Sequence, residues 1–271
     1  MRYSLIILIV AMVLSLGMSY LWNPVRIAQN SDNPIADLHA MTQQDPDLER
    51  ALQHADNRDI SDLVKWINRA DILQRQRLAM LLYILVAPKD SEGMRQQDPD
   101  QVYRYRERFR AFLTLGTGDD RLDIQLENLL AYSVIISPET PTEQDIALAN
   151  LLVPRLRRAA TEYAEDAYWD TVGCALFASG EYANAKEAFS NARKLAHESK
   201  DKRKRTNEEL YTRRLEATEH NLQLKAENSA EAVVPLPRES KAIAKTAHAP
   251  AAKPGREATS GSPTATESAK P

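Results

Sequence analysis

The residue types that do chemistry are present in this sequence but scattered. His39, His54, His197, His220 and His248 show no His-x-x-x-His spacing, and none groups with Glu or Cys in a pattern that holds a metal or activates a nucleophile. Cys174 is the single cysteine, so no disulfide forms within the chain. No glycine-rich loop of the phosphate-cradling kind occurs. Asp119-Asp120 and Glu165-Asp166 each place two acids where a helix should start, and complementarity to the helix dipole accounts for them before general acid chemistry does. Lys200 to Arg205 is a compact basic run, but acidic residues follow it at once; with Arg155, Arg157 and Arg158 it reads as solvated helix surface. The sequence therefore predicts no catalytic set, no metal ligands and no cofactor, and a protein that is not an enzyme.

Composition bounds the remaining classes. With 35 Lys plus Arg against 38 Asp plus Glu, the 271-residue chain carries no field that would draw in nucleic acid. Its 43% hydrophobic content is enough for a sizeable core. Only eight glycines are present, too few for the tight turns of sandwiches, barrels or doubly wound sheets, so the expected fold class is all-α.

No charge interrupts the run from Tyr3 to Val25, and about 20 apolar helical residues span a bilayer core. Tyr20 and Trp22 suit the headgroup level at its far end, and Asn23-Pro24 stops the helix. Residues 1–23 thus read as a single-pass signal-anchor in a cell inner membrane. A cleaved secretory peptide fits the same stretch, with Arg2 as its basic region and Gly17 and Ser19 before the cut. Arg2 and the α-amine set against Arg26 favour an N-terminus inside. Either way, residues from 24 onward are expected outside the cytoplasm, tethered or released to the periplasm.

After a linker over 24–41, helix start signals recur through a helical region at 42–140. Gln-Gln-Asp-Pro-Asp stands at both 43–47 and 96–100, each time with Asp at an N-cap and Pro in the first turn. Ile60, Leu63, Val64 and Ile67, then Leu78, Leu81, Leu82 and Leu85, predict a helical hairpin. Tyr105, Phe109, Phe112 and Leu113 mark one face of a further helix ended by Gly116-Thr117-Gly118. Leu122, Leu126, Leu129 and Leu130 begin another that runs toward Ile136, although Val134-Ile135-Ile136 is also readable as strand. Pro141-Thr142 opens the next, with Pro154 as a candidate kink.

The most specific stretch runs from Ala167 to Ala196. Trp169, Val172-Gly173, Leu176, Gly180, Tyr182, Ala185, Phe189 and Ala192 fall in an order and spacing that resembles the tetratricopeptide repeat (TPR) family. Val172 stands where that family has Leu, Leu176 where it has Tyr, and no proline closes the unit near His197. The residue sizes make physical sense, since Gly173 and Ala185 let two helices approach while Trp169, Tyr182 and Phe189 fill the flanks. One hairpin cannot bury its own apolar face. The region 141–226 is therefore expected to be a TPR-like domain of stacked hairpins, capped by a helix that starts with the box Thr206 to Glu209 and carries the stripe Tyr211, Leu215, Thr218 and Leu222. The resemblance implies a short solenoid with a concave, partner-binding face that would include Asp170, Thr171, Cys174 and Phe177.

From Glu227 to the end the chain lacks aromatic residues and is rich in Ala, Pro, Ser, Thr and Lys, which predicts a disordered tail over 227–271. Within it, Val233 to Pro237 is the stretch most apt to dock. The function expected is a membrane-anchored protein–protein interaction scaffold of the cell envelope. The alternative is an accessory subunit of an envelope enzyme or of a secretion or assembly complex, without a catalytic site of its own.

Overall fold

The computed structural model describes residues 33–87, 97–228 and 232–238, all within one compact unit. The apolar run from Tyr3 to Val25 lies outside them. Among the described residues no helix is long and apolar enough to cross a membrane, and every regular element is an α-helix. The all-α class is as expected.

Three helices start from one local solution, an Asn or Asp cap followed by proline. Asp45 precedes α2 (Pro46–Asp56) and accepts from the backbone N–H of Asp47 and Leu48 at 3.2 and 3.3 Å. Asp98 does the same for α5 (Pro99–Arg104), bonding the N–H groups of Asp100 and Gln101 at 3.0 and 3.4 Å. Asn33-Pro34 is a third instance, opening α1 (Pro34–Gln44) inside the expected linker. The proline loses nothing there, because a first-turn N–H has no intrahelical acceptor.

The next elements, α3 (Ser61–Arg69) and α4 (Ile72–Leu85), do not form the hairpin expected of them. α3 packs on α2 and on α6 (Arg106–Phe112), whereas α4 packs on α1, α6 and α7 (Asp120–Ile136). The helix expected across Tyr105 is two short ones, because Tyr105 ends α5 and begins α6. Gly116 and Gly118 then take φ of +72° and +83°, which glycine tolerates best, and Thr117 between them donates its N–H to Asp123 Oδ1 at 2.7 Å.

α7 is the axis of the fold. Twelve of its seventeen residues are buried, and it packs on α4, α5 and α6 as well as on α8 (Glu143–Tyr163) and α9 (Asp166–Ala178). That explains Val134-Ile135-Ile136, which is an all-round buried last turn of helix and not strand. α8 begins with a reciprocal capping box between Thr142 and Asp145 and continues through Pro154 to Tyr163. Arg155 on α8 bonds Glu127 and Asp120 of α7.

α9, α10 (Tyr182–Glu198) and α11 (Lys202–Ala226) complete the chain of packed neighbours. Gly180 forms the turn between α9 and α10 with φ +73°, and Glu181 N–H reaches back to Leu176 O at 2.9 Å. α11 starts one turn earlier than expected, so Thr206 to Glu209 lies inside it and is not its cap. Contacts along α11 set its direction: Lys204 pairs with Glu165 at the start of α9, and Lys225 donates to Gly180 O just past its end. α11 thus runs parallel to α9, with α10 antiparallel beside them, as the Lys186–Glu219 and His197–Glu208 pairs require.

Gly173 fixes how closely α9 and α10 approach. A Cβ there would lie 2.5 Å from Cε1 and 2.6 Å from Cδ1 of the fully buried Phe189 ring. Gly173→Ala should therefore lower unfolding stability by about 1–3 kcal/mol through overpacking, read from urea denaturation followed by helical circular dichroism. Glu127 supplies a second, pH-dependent expectation. Its burial raises the carboxyl pKa, and the nearby charges of Asp123 and Asp120 add to this, so the shared Arg155 offsets the effect only in part. A carboxyl whose pKa is higher folded than unfolded weakens the fold as pH rises through that folded value. Wild type should accordingly gain stability relative to Glu127→Gln as the pH is lowered from neutrality toward 4.5, its ordinary value, in urea midpoints measured across that range.

Candidate interaction groove

The four residues expected on a concave face are all on α9, and all are buried. Thr171 donates its hydroxyl to Ala167 O at 3.0 Å, and Phe177 meets the Tyr182 ring edge-on at 5.3 Å. Cys174 is sealed in the core. Asp170 is the member that organises its surroundings, through a partner on α11.

That partner is Arg214, whose side chain has no exposed surface. One terminal nitrogen pairs with Asp170 Oδ2. The other donates to the Tyr132 hydroxyl on α7 at 3.0 Å, and Nε donates to the carbonyl of Pro237 at 3.0 Å. A single guanidinium thereby joins α7, α9, α11 and the segment beyond α11. Burial alone would lower its pKa; the Asp170 carboxylate, together with Cys174 and Tyr132 beside it, more than reverses this, so the group is held charged well above its ordinary value. One turn earlier, the Tyr211 hydroxyl donates to the buried Asp166 at 3.0 Å. Burial first, then the charges of Asp170 and Asp166, push that phenol upward, so it stays a neutral donor.

Residues 232–238 are the described part of the segment after α11, and they include Val233 to Pro237, the stretch expected to be most apt to dock. They lie extended and return along α11, forming a strap. Asn221 grips Val234 twice: its Nδ2 donates to Val234 O at 2.8 Å, and its Oδ1 accepts the Val234 N–H at 2.8 Å. Arg238 then donates to the carbonyls of Pro138 and Glu139 in the turn between α7 and α8. The register is consistent, since Val234 to Pro237 advances about 10 Å at roughly 3.3 Å per extended residue. Asn221 to Arg214 retreats about 10 Å at roughly 1.5 Å per helical residue. Val234 and Leu236 pack on the core while Val233 and Pro235 face out, the two-residue alternation of an extended chain. Prolines at 235 and 237 carry no N–H, so the strap lies half-buried with few donors left to satisfy.

Sequence reading missed Arg214 and Asn221, although both lie on the stripe through Tyr211 and Thr218, at helical spacing. Nothing comparable gathers around the histidines among the described residues. Among the described residues no group of three or more His, Cys, Asp or Glu could hold a metal ion. A shallow depression of about 460 Å³ on α11, between residues such as Arg205, Glu209 and Glu216, is lined by that helix alone and does not enclose a small molecule. Compared with known proteins, the chain matches no family model, no curated protein and no solved structure.

Removing one member of a buried ion pair leaves the other charged and unpaired. Arg214→Met should cost about 3–5 kcal/mol, and adding Asp170→Leu should recover most of that loss, both read by urea denaturation. Hydrogen exchange in residues 232–238 should rise in the single and the double variant alike, because both lose the bond to Pro237.

Proposed function

We propose that this chain is a protein–protein interaction scaffold of the cell envelope, which holds an extended segment of another polypeptide against α7, α9 and α11. The observation that carries the reading is the two-point grip of Asn221 on the backbone of Val234. An amide side chain that satisfies both backbone groups of one residue binds a polypeptide as a polypeptide, whatever its side chains. The order of helices supports it as well. α7 with α8 and α9 with α10 follow as pairs, α11 comes last, and the first helices of the pairs touch one another, as the resemblance to tetratricopeptide repeats implies. In this reading Asp170 acts through Arg214, while Thr171, Cys174 and Phe177 support the face from beneath. The apolar run Tyr3 to Val25 serves as the tether, with the helical body on the extracytoplasmic side.

Two measurements check this. The full-length protein should remain with the membrane pellet after alkaline carbonate extraction. A photo-crosslinking side chain at Tyr132, irradiated in native membranes, should form an adduct with another polypeptide, while the same probe at the outward-facing Leu151, 72% exposed on α8, should not. Adducts from Leu151 alone would place the partner elsewhere and refute the groove reading.

A further inference from the structure

The strap is an extended polypeptide segment already seated in the groove, and it shows what fits there. We infer that Val233–Arg238 is an exchangeable internal ligand: the groove's partner is an extended segment of another protein with the same chemistry, which binds by displacing the strap. This rests on the reading of the groove as a polypeptide site and adds both the ligand class and the regulation.

Each contact defines one feature of that ligand. Asn221 requires a residue with a free N–H and C=O, so the gripped residue is not proline. Two apolar side chains two residues apart, at the positions of Val234 and Leu236, pack on the core. Arg214 Nε requires a carbonyl one residue beyond the second of them. Proline at the Pro235 and Pro237 positions removes donors that would otherwise be buried unpaired and holds the segment extended. A terminal arginine reaches the carbonyls of Pro138 and Glu139. The matching partner is therefore a segment of the type apolar-Pro-apolar-Pro-Arg.

The contacts also explain why the strap is exchangeable. Its anchors are the two neutral hydrogen bonds of Asn221, two half-buried side chains, the exposed Arg238 and one bond from the Arg214 guanidinium. Arg214, the charged anchor on the groove side, retains the Asp170 and Tyr132 bonds when the strap leaves. Neutral bonds of this kind exchange for bonds to water at little net cost, so the hold on the strap is modest beside the fold. The strap succeeds by proximity, since a tethered segment competes at an effective concentration of roughly millimolar.

The test uses the full chain and a fluorescent synthetic peptide with the sequence of residues 232–239. In V234D/L236D the strap should leave while every groove side chain stays unaltered. The peptide should then bind this variant at least about tenfold more tightly than it binds wild type, whose groove is already filled. Adding Asn221→Ala to the released variant should weaken binding by about thirtyfold, the equivalent of its two lost bonds. A released variant that keeps its helicity and melting temperature but binds the peptide no better than wild type overturns the inference. If the released variant unfolds, wild type decides: excess peptide should accelerate hydrogen exchange in the chain's own residues 232–238, and unchanged protection at millimolar peptide overturns it. A strap that exchanges only between two copies, seen as a dimer that strap release abolishes, also overturns a partner of another chain. The two readings fail separately, because crosslinks at Tyr132 with an undisplaceable strap would leave the groove standing without exchange.

Discussion

The Arg214–Asp170 pair is the constraint on which the C-terminal half of the molecule depends. A guanidinium with no exposed surface is tolerated only where charge and hydrogen bonds replace the water it gave up. Here the replacement comes from three directions, a carboxylate on α9, a phenol on α7 and a main-chain carbonyl beyond α11. The same requirement that keeps the charge buried therefore fixes three helices and a strap in one register. Tyr211 with Asp166 and Lys204 with Glu165 extend that register toward the start of α9. Apolar contacts alone would allow α11 to slide or rotate on its neighbours; the polar row does not.

The stack below this row is held differently. Between α9 and α10 the contact is steric, with Phe189 lying where a Cβ on Gly173 would go. Between α7 and α8 it is electrostatic but imperfect, since one arginine serves Glu127 and Asp120 with Asp123 close by. Each interface is thus specified by another kind of complementarity, which reduces the chance that one helix pairs in place of another.

Much of the fold was legible because its signals are local. Asp45-Pro46 and Asp98-Pro99 begin helices for reasons contained in two residues, and Asn33-Pro34 carries the same signal although composition alone made its surroundings a linker. The small and large residues from Trp169 to Phe189 describe one hairpin, and one hairpin formed. What stayed hidden depends on partners far along the chain. Arg214 stands among Arg213, Glu216 and Glu219 and looks like solvated surface; its burial follows from Asp170, Tyr132 and Pro237, none of them near it in sequence. Where the strap lies was hidden for the same reason, although Val233 to Pro237 stood out as the stretch most apt to dock. Its proline content speaks against regular structure, which is correct, and says nothing about whether an irregular segment has somewhere to lie. The pairing of α3 and α4 with other helices was equally nonlocal, since apolar periodicity marks a buried face without naming what covers it.

Asn221 has one more consequence, for how this surface changes over generations. A side chain that holds the main chain of Val234 is indifferent to the residue mounted on it, provided it is not proline. Substitutions that keep positions 234 and 236 apolar, and those at the outward-facing Val233, can therefore accumulate one at a time without loss of the hold, while Asn221 itself has no neighbour in the genetic code that offers both a donor and an acceptor at the same reach. Drift should concentrate in what is held and spare what holds it.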